Sequence, residues 1–220
     1  MKYSAHNQYL NQYGVEVPSV TTILHILHKP ALVKWANIMG FKRTKTEDIL
    51  ERASRIGTQA HNCIEKYFRK EKYKLPEGND DIRDTLLLRI NGFISWIKTL
   101  GTIKPTFLES SVVTDLYGGT IDFYGEVNGL MTVLDFKTSS NIYASMFLQL
   151  GAYVNILEEQ GYTVDMVGIV HVTEKGTNVR YMSREQIQKY INCFLELVTL
   201  FHSWYNINME DDWGNICAKD

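Results

Sequence analysis

Two short segments joined by Asn128-Gly129 constrain the fold of this chain more than any other feature. Residues 120–127 and 130–137 have the apolar, aromatic and β-branched content that is typical of β-strands. Asn-Gly is a preferred dipeptide of the two-residue type I′ turn, because both positions of that turn need a positive φ. The sequence therefore predicts an antiparallel β-hairpin whose register is set by its turn.

The predicted register brings two aspartates together. With a two-residue loop, Val127 faces Leu130. Counting outward then places Asp122 opposite Asp135 at a non-hydrogen-bonded position, where Cβ atoms lie about 4.5–5.5 Å apart. Two ionised carboxylates there repel by about 3 kcal/mol at an effective dielectric constant of about 20, whereas a favourable cross-strand pair contributes about 0.2–1 kcal/mol. A divalent cation or a shared proton would remove this repulsion.

Lys137 is expected on the same face as the two aspartates, since it lies two residues beyond Asp135. The alternate face is predicted to pack in the core, and it carries Ile121, Phe123, Leu134 and Phe136. The charged side chains and the apolar core side chains of the hairpin are thus expected on opposite faces. The alternative is an exposed charged hairpin with an ordinary Asp–Lys ladder, and a β-bulge would break the register.

The first hundred residues are predicted to be helical, because apolar side chains recur there at helical spacing. Ser19 can cap the first helix, and Pro30 suits the first turn of the second. Thr44 with Glu47 forms a capping-box pattern for the third. The predicted helices cover about 20–27, 30–40, 44–69 and 81–100. The apolar stripe of the fourth comprises Ile82, Leu86, Ile90, Phe93 and Ile97.

Strands and helices then follow one another, with a second capping-box pattern at Ser183 and Gln186. Besides the hairpin, strands are predicted at about 107–114, 163–172 and 177–181, and helices at about 144–159 and 183–205. This order predicts a mixed α/β fold. We expect one domain over 1–220, with a helical N-terminal portion to about 100, an α/β core over about 101–206, and a polar tail at 207–220.

The composition disfavours several classes of protein. A chain of 220 residues with 45% hydrophobic side chains can bury one core. It has no run of about 18 apolar residues and no apolar leader, so we expect an intracellular protein without a membrane span. Three dispersed cysteines and scattered histidines support neither a disulfide framework nor a zinc site. No GxxxxGK[ST] loop is present to cradle a nucleotide.

The net charge of −2 does not suggest a nucleic-acid partner, yet two stretches are basic. The first has no acidic residue and comprises Lys29, Lys34, Lys42, Arg43 and Lys45. The second comprises Lys66, Arg69, Lys70, Lys72 and Lys74. They are either solvated helical faces or phosphate contacts. The aromatic residues among them, which could stack on bases or pack in the core, are Trp35, Phe41, Tyr67 and Tyr73.

Four elements, in order along the chain, resemble the PD-(D/E)xK nuclease superfamily. They are Gly57-Thr58-Gln59-Ala60-His61, Gly118-Gly119-Thr120-Ile121-Asp122, Leu134-Asp135-Phe136-Lys137-Thr138-Ser139 and Gln149-Leu150-Gly151-Ala152-Tyr153. The most similar branch is the RecB-like one, which includes phage exonucleases and the mitochondrial genome maintenance exonuclease. Val17-Pro18-Ser19-Val20-Thr21 and Trp35 also resemble its short members. Ile121 replaces the namesake proline, and three cysteines cannot hold the four-cysteine iron–sulfur cluster of some members.

The resemblance implies a restriction-endonuclease-like core, a central mixed β-sheet flanked by helices, and one or two Mg²⁺ or Mn²⁺ ions. The ligands implied are His61, Asp122, Asp135 and the carbonyl of Phe136, with Glu109 where relatives often carry a strand glutamate. The catalytic residues implied are Asp122, Asp135, Lys137, Gln149 and Tyr153. Lys137 would orient or help to deprotonate the attacking water.

The expected function is therefore metal-dependent hydrolysis of DNA phosphodiester bonds. Relatives of similar length are exonucleases, which favours single-stranded DNA or DNA ends as substrate. The residues expected to contact DNA are Lys34, Trp35, Lys42, Arg43 and Lys45. The alternatives are a structure-specific endonuclease, a catalytically silent DNA-binding subunit of the same fold and, more remotely, a metal-binding transferase or small-molecule hydrolase.

Overall fold

The N-terminal half of the computed structural model, which describes residues 8–73 and 81–210, is mainly helical. A small hairpin of β1 (Tyr9–Leu10) and β2 (Glu16–Val17) comes first. Four helices follow: α1 (Val20–Leu24), α2 (Pro30–Phe41), α3 (Thr46–Phe68) and α4 (Asp81–Ile97). Ser19 caps α1 as predicted, accepting a hydrogen bond from the backbone N–H of Thr22 at 3.0 Å. The expected stripe of α4 is buried over its whole length.

The capping box predicted at Thr44 and Glu47 is wrong. The helix α3 begins at Thr46, and its N-cap residue Lys45 makes no side-chain capping bond. Arg43 adopts a φ of 51°, and the N–H of Thr44 donates to the carbonyl oxygen of Met39 at 3.0 Å. This geometry is typical of a helix C-terminus. Thr44 therefore belongs to the end of α2, which leaves it unable to cap α3.

The C-terminal half holds a mixed five-stranded sheet. Its elements are β3 (Ile103–Val113), β4 (Gly118–Val127), β5 (Leu130–Lys137), α5 (Ala144–Glu159), β6 (Met166–Thr173), β7 (Gly176–Ser183) and α6 (Arg184–Glu210). The strand order is β3-β4-β5-β6-β7, and only the β5–β6 pair is parallel. This is the mixed sheet flanked by helices that the sequence predicts.

The hairpin register is confirmed over five paired positions, from Val127 with Leu130 to Phe123 with Leu134. Asn128 and Gly129 have φ values of 51° and 85°, as a type I′ turn requires. The Ser183–Gln186 capping box is also confirmed, because each backbone N–H donates to the other side chain.

Both faces of the sheet are buried, so the predicted separation of a polar face from a packed face is wrong. Phe123, Leu134 and Phe136 pack on one side in a cluster with α3 and α4. Tyr124 and Val133 point to the other side and pack with α5 and α6. Helices cover each face, so the carboxylates of the hairpin lie in the interior beside apolar neighbours.

The helix α6 is longer than predicted. It continues through Asn206 to Glu210, beyond the predicted end at about 205, and 211–220 lie outside the described residues. The predicted polar tail at 207–220 stays a prediction. The predicted division of the chain into a single domain stays a prediction. Within the described ranges, no helix is both long enough and apolar enough to cross a membrane.

Candidate metal centre

The candidate site lies where β4 and β5 part. Their paired positions end at Phe123 and Leu134, so Asp122 and Asp135 are the next residues along each strand. From there β5 pairs in parallel with β6 alone. The carboxylate of Asp122 accepts a hydrogen bond from the backbone N–H of Phe136 at 2.7 Å. The opening between the strands gives side chains from other elements access to both aspartates.

Three side chains meet at this opening. Nδ1 of His61 lies 3.3 Å from Oε1 of Glu109 and 3.6 Å from Oδ1 of Asp122. One ligand atom from each residue can be chosen so that all three lie within 4.8 Å of one another. Nε2 of His61 donates to the carbonyl oxygen of Phe136 at 2.8 Å. The structure thus brings four of the five predicted metal ligands together.

Helix α3 places His61 through its buried face, which includes Ile56, Ala60 and Ile64. Gly57 precedes His61 by one turn on the same side of the helix. A Cβ atom on Gly57 would lie 3.4 Å from Oγ1 of Thr138, so position 57 is within van der Waals contact of the residue that follows Lys137.

Glu109 reaches the site through an unusual backbone. Its neighbours Leu108 and Ser110 pair with Phe123 and Ile121, which places Glu109 opposite Asp122. Glu109 has a φ of 46°, a left-handed conformation that costs a residue other than glycine about 1–2 kcal/mol. Such strain concentrates at functional sites, where the surrounding structure maintains it.

A second group surrounds Lys137. Its ammonium donates to Oδ1 of Asp135 at 2.8 Å and to Oε1 of Gln149 at 3.1 Å. Gln149 in turn donates to the hydroxyl of Tyr153 at 2.9 Å, because the two residues lie one turn apart on α5. A Cβ atom on Gly119 would come within 2.6 Å of the Tyr153 ring, so glycine is needed there for close packing.

Asp135 is almost completely buried, with 1% of its surface exposed. Burial raises the pKa of its carboxyl group to about 6; Lys137 opposes this rise in pKa, and Asp122 adds to it. Burial likewise raises the pKa of Asp122, against the effects of His61 and Lys137. Oδ2 of Asp135 has no hydrogen-bond partner among the described residues. The site therefore contains a buried acceptor oxygen whose desolvation is not compensated.

The two basic groups of the site carry positive charge at neutral pH. Burial lowers the pKa of His61, but the carboxylates of Asp122 and Glu109 outweigh it and raise that pKa to about 9. Burial also lowers the pKa of Lys137, and Asp135 and Asp122 outweigh it, so the net shift is upward. Each cation balances carboxylates that would otherwise repel one another.

This donor set fits a hard divalent cation. It offers carboxylate oxygens, a backbone carbonyl and an imidazole, and it includes the orphaned Oδ2 of Asp135. His61 would bind a metal only as the neutral imidazole, so the ion would displace its proton. Asp135 lies outside the group formed by His61, Glu109 and Asp122, and its Oδ1 is paired with Lys137.

The predicted DNA-binding residues lie on α2 and on the turn that precedes α3. Lys34, Lys42, Arg43 and Lys45 are exposed, and we refer to these four residues as the basic surface. Trp35 is half-buried, while Phe41 is 91% exposed. In the second basic stretch, Tyr67 and Tyr73 pack against the core cluster beneath α3, so the interpretation of these two rings as core side chains holds.

Neither a family model nor a curated protein matches this chain. Solved structures similar to it include SSO0001, with a TM-score of 0.32 and 12% identity over 52% of this chain and 58% of that one. LHK-Exo in complex with dAMP has a TM-score of 0.35 and 9% identity, over 66% and 80% of the two chains. A phage related exonuclease from Haemophilus somnus 129PT has a TM-score of 0.32 and 14% identity, over 66% and 82%.

Two of these three structures are described as exonucleases, and the match spans little more than half of SSO0001. At TM-scores of 0.32–0.35, the similarity carries no argument about the activity of this chain.

Proposed function

We propose that this chain is a metal-dependent DNA exonuclease that hydrolyses phosphodiester bonds in single-stranded DNA or at DNA ends. The observation that carries this proposal is the ion pair between the buried Asp135 and Lys137, whose side chain is 22% exposed, beside the group of His61, Glu109 and Asp122. A protein that only needed a stable sheet would gain nothing from burying these charges, since apolar residues of similar size are as stable or more stable there.

The metal ligands in this proposal are His61, Asp122, Asp135 and the carbonyl of Phe136, with Glu109 as a further oxygen ligand. A bound Mg²⁺ or Mn²⁺ would activate water and stabilise negative charge on the phosphate group. In the overall reaction, water forms a bond to phosphorus, the P–O bond to the leaving oxygen breaks, and that oxygen takes up a proton.

Lys137 is proposed to orient the water and contact the scissile phosphate. Its raised pKa keeps the ammonium protonated, which favours charge stabilisation over proton abstraction. Asp135 and Gln149 hold the ammonium in place through two hydrogen bonds. Tyr153 supports Gln149 through a hydrogen bond, so α5 helps to fix the position of the charge.

The basic surface is proposed to bind the phosphate groups of the DNA strand. Its four cations are exposed, and the exposed ring of Phe41 lies in the same segment and is available to stack on a base. Phosphate contacts and aromatic stacking are the two interactions by which proteins bind single strands without sequence preference.

Two alternatives remain open to test. A structure-specific endonuclease would use the same residues on a different DNA geometry. A catalytically silent DNA-binding subunit needs no clustered carboxylates, and the complete set of Asp122, Asp135 and Lys137 favours catalysis over binding alone.

The deciding experiment compares the wild type with Lys137→Ala on end-labelled linear DNA and on circular single-stranded DNA, with Mg²⁺, Mn²⁺ or chelator. We expect metal-dependent loss of linear DNA, no cleavage of circles, and no activity in the variant. Lys104→Ala is the matched control, because Lys104 is exposed and pairs only with Glu126 among the contacts of the described residues. Cleaved circles would indicate an endonuclease, and gel shifts without cleavage would indicate a silent subunit.

A further inference from the structure

We propose that Arg89 is a positioning residue of the candidate site, whose guanidinium fixes the segment that directly follows Lys137. This inference rests on the proposed function, because it gives Arg89 a part in the cleavage step. Arg89 lies on α4, and its side chain is only 13% exposed. A charged group so shielded from water needs polar partners. One of its partners is the carbonyl of Thr138, directly after the strand that carries the site.

The guanidinium of Arg89 joins β5 to β6 beyond the point where their ladder stops. The last paired residues of these strands are Lys137 and His171. Nη1 of Arg89 donates to the next carbonyl on each strand, that of Thr138 at 2.5 Å and that of Val172 at 3.2 Å. Nη2 donates to Oε1 of Glu174 at 3.3 Å. The side chain thus replaces the backbone bonds that the diverging strands no longer form.

A second side chain holds the following residue. Nε2 of His171 donates to the carbonyl oxygen of Ser139 at 2.6 Å. Two consecutive carbonyls after Lys137 are therefore held by side chains, one from α4 and one from β6. The same segment leads into α5, which carries Gln149 and Tyr153.

The position of Thr138 also bears on α3. Its Oγ1 lies within 3.4 Å of the point where a Cβ of Gly57 would be, and His61 follows Gly57 by one turn. A shift of Thr138 would move Lys137 directly and would disturb the packing beside His61. A displacement of about 1 Å at an active site can lower the rate of the chemical step about 100-fold.

A purely structural role gives a different expectation. If Arg89 only ties two strands together, its loss lowers stability, while the folded fraction cleaves DNA at the wild-type rate. If Arg89 positions the site, the folded variant binds DNA normally and cleaves it slowly. Rate and affinity therefore have to be measured separately.

The test compares the wild type with Arg89→Met, Arg89→Lys and the control Arg180→Met, which makes the same change at an exposed arginine of β7. The measurements are the single-turnover cleavage rate at saturating DNA, the Kd for the same DNA in chelator, and the affinity for Mn²⁺ by calorimetry. Amide hydrogen exchange over 136–140 in metal-free protein is the fourth measurement.

We expect Arg89→Met to lower the single-turnover rate about 10–100-fold, with a Kd for DNA within about twofold of wild type. Mn²⁺ binding is expected to weaken about tenfold, and exchange over 136–140 to become faster. Arg89→Lys should recover part of the rate, because one ammonium can donate to either carbonyl but lacks the planar fork that reaches both. Arg180→Met should match the wild type.

Wild-type rate and Mn²⁺ affinity in folded Arg89→Met would overturn the inference. If Arg89→Met does not fold, Arg89→Lys decides: a reduced rate at unchanged DNA affinity supports positioning, and a wild-type rate contradicts it. If the wild type cleaves no DNA, the proposed function fails, while Mn²⁺ affinity and hydrogen exchange still show whether Arg89 orders the site.

Discussion

Glu109 combines a strained backbone with a carboxylate directed at His61. Glu109 lies in β3, an edge strand of the sheet, where the left-handed conformation has no benefit for the ladder and leaves Glu109 out of the pairing of β3 with β4. The strain is explained if the position of the carboxylate matters more than the continuity of the strand.

Replacing Glu109 separates the strain from the carboxylate. Glu109→Gly and Glu109→Ala both remove the carboxylate, but only glycine adopts the positive φ without strain. We expect Glu109→Gly to be more stable than Glu109→Ala by about 1 kcal/mol in urea unfolding of metal-free protein. Both variants should show a smaller rise in melting temperature with Mn²⁺ than the wild type. Equal stability of the two variants would mean that Glu109 is not strained.

His61 is expected to make the stability of the metal-free protein depend on pH. Its pKa is raised to about 9 in the folded chain, because Asp122 and Glu109 outweigh the effect of burial. A raised histidine pKa stabilises the folded state fully below the unfolded value of about 6.5, and this stabilisation is lost as pH rises through the folded value.

We therefore expect the unfolding free energy of metal-free protein to fall between about pH 6.5 and 9, by at most about 3 kcal/mol. Denaturant unfolding at several pH values measures this slope. His61→Gln should reduce it, since glutamine does not titrate. A slope that is unchanged in His61→Gln would show that other groups bind the protons.

At the scale of elements, α5 and α6 pack unusually closely. A Cβ atom on Gly151 would lie 2.9 Å from the backbone nitrogen of Ile191 and 3.2 Å from the carbonyl oxygen of Tyr190. Because backbone atoms of a helix cannot move aside singly, a methyl group there would force the two helices apart. Arg184 adds an ion pair to Glu158 across the same interface.

We expect Gly151→Ala to destabilise the protein by about 1–3 kcal/mol, as overpacking of a core does. Gly40→Ala is the matched control within a helix, because nothing lies within 4 Å of its Cβ position. That change should stabilise α2 slightly, since alanine has the higher helix propensity. Urea unfolding of both variants measures the difference, and equal stability would contradict the close contact.

Elements defined by local chemistry were predictable from the sequence. The ends of β5 and α5 agree with the predictions, because Asn128-Gly129 fixes the turn and helical spacing marks α5. The start of β3 was missed by four residues, since Ile103 is a strand residue only by pairing with Val127. The burial of the sheet face that carries Asp135 was not predicted, because a residue pattern does not show which helices cover a sheet.

Part of the site was likewise predictable from local sequence. Asp122, Asp135 and Lys137 lie in one hairpin, so their spacing follows from its turn and strand pattern. His61 and Glu109 join them through long-range packing, and the sequence indicated their positions only through the family resemblance. Arg89 was missed, because an arginine within an amphipathic helix normally indicates a solvated position.

At the scale of the whole molecule, helices cover both faces of the sheet, and α2 stands apart from either core. None of the residues of α2 is buried. A helix with apolar residues and no buried face gains little stability from packing. The exposed cations Lys34 on α2 and Lys42 and Arg43 after it suit a polyanion.

We expect Lys42→Ala combined with Arg43→Ala to weaken single-stranded DNA binding and to make its salt dependence shallower by about 1–2 in the slope of log K against log salt. The cleavage rate at saturating DNA should not change. Lys98→Ala with Lys175→Ala removes two exposed cations elsewhere and is the control. An identical salt slope in both double variants would assign DNA binding to another surface.

The strand β5 pairs with β4 only as far as Leu134, and beyond that residue it pairs with β6. This arrangement determines when the site can form during synthesis of the chain. The hairpin joins residues close in sequence, and such contacts can form early. Phe136 and Lys137, however, pair with β6. This strand begins at Met166, so all of α5 is synthesised before it. A nascent or truncated chain that ends before β6 would contain both aspartates without an assembled site. We therefore expect such a chain to be harmless to nucleic acid until its last strands have been made.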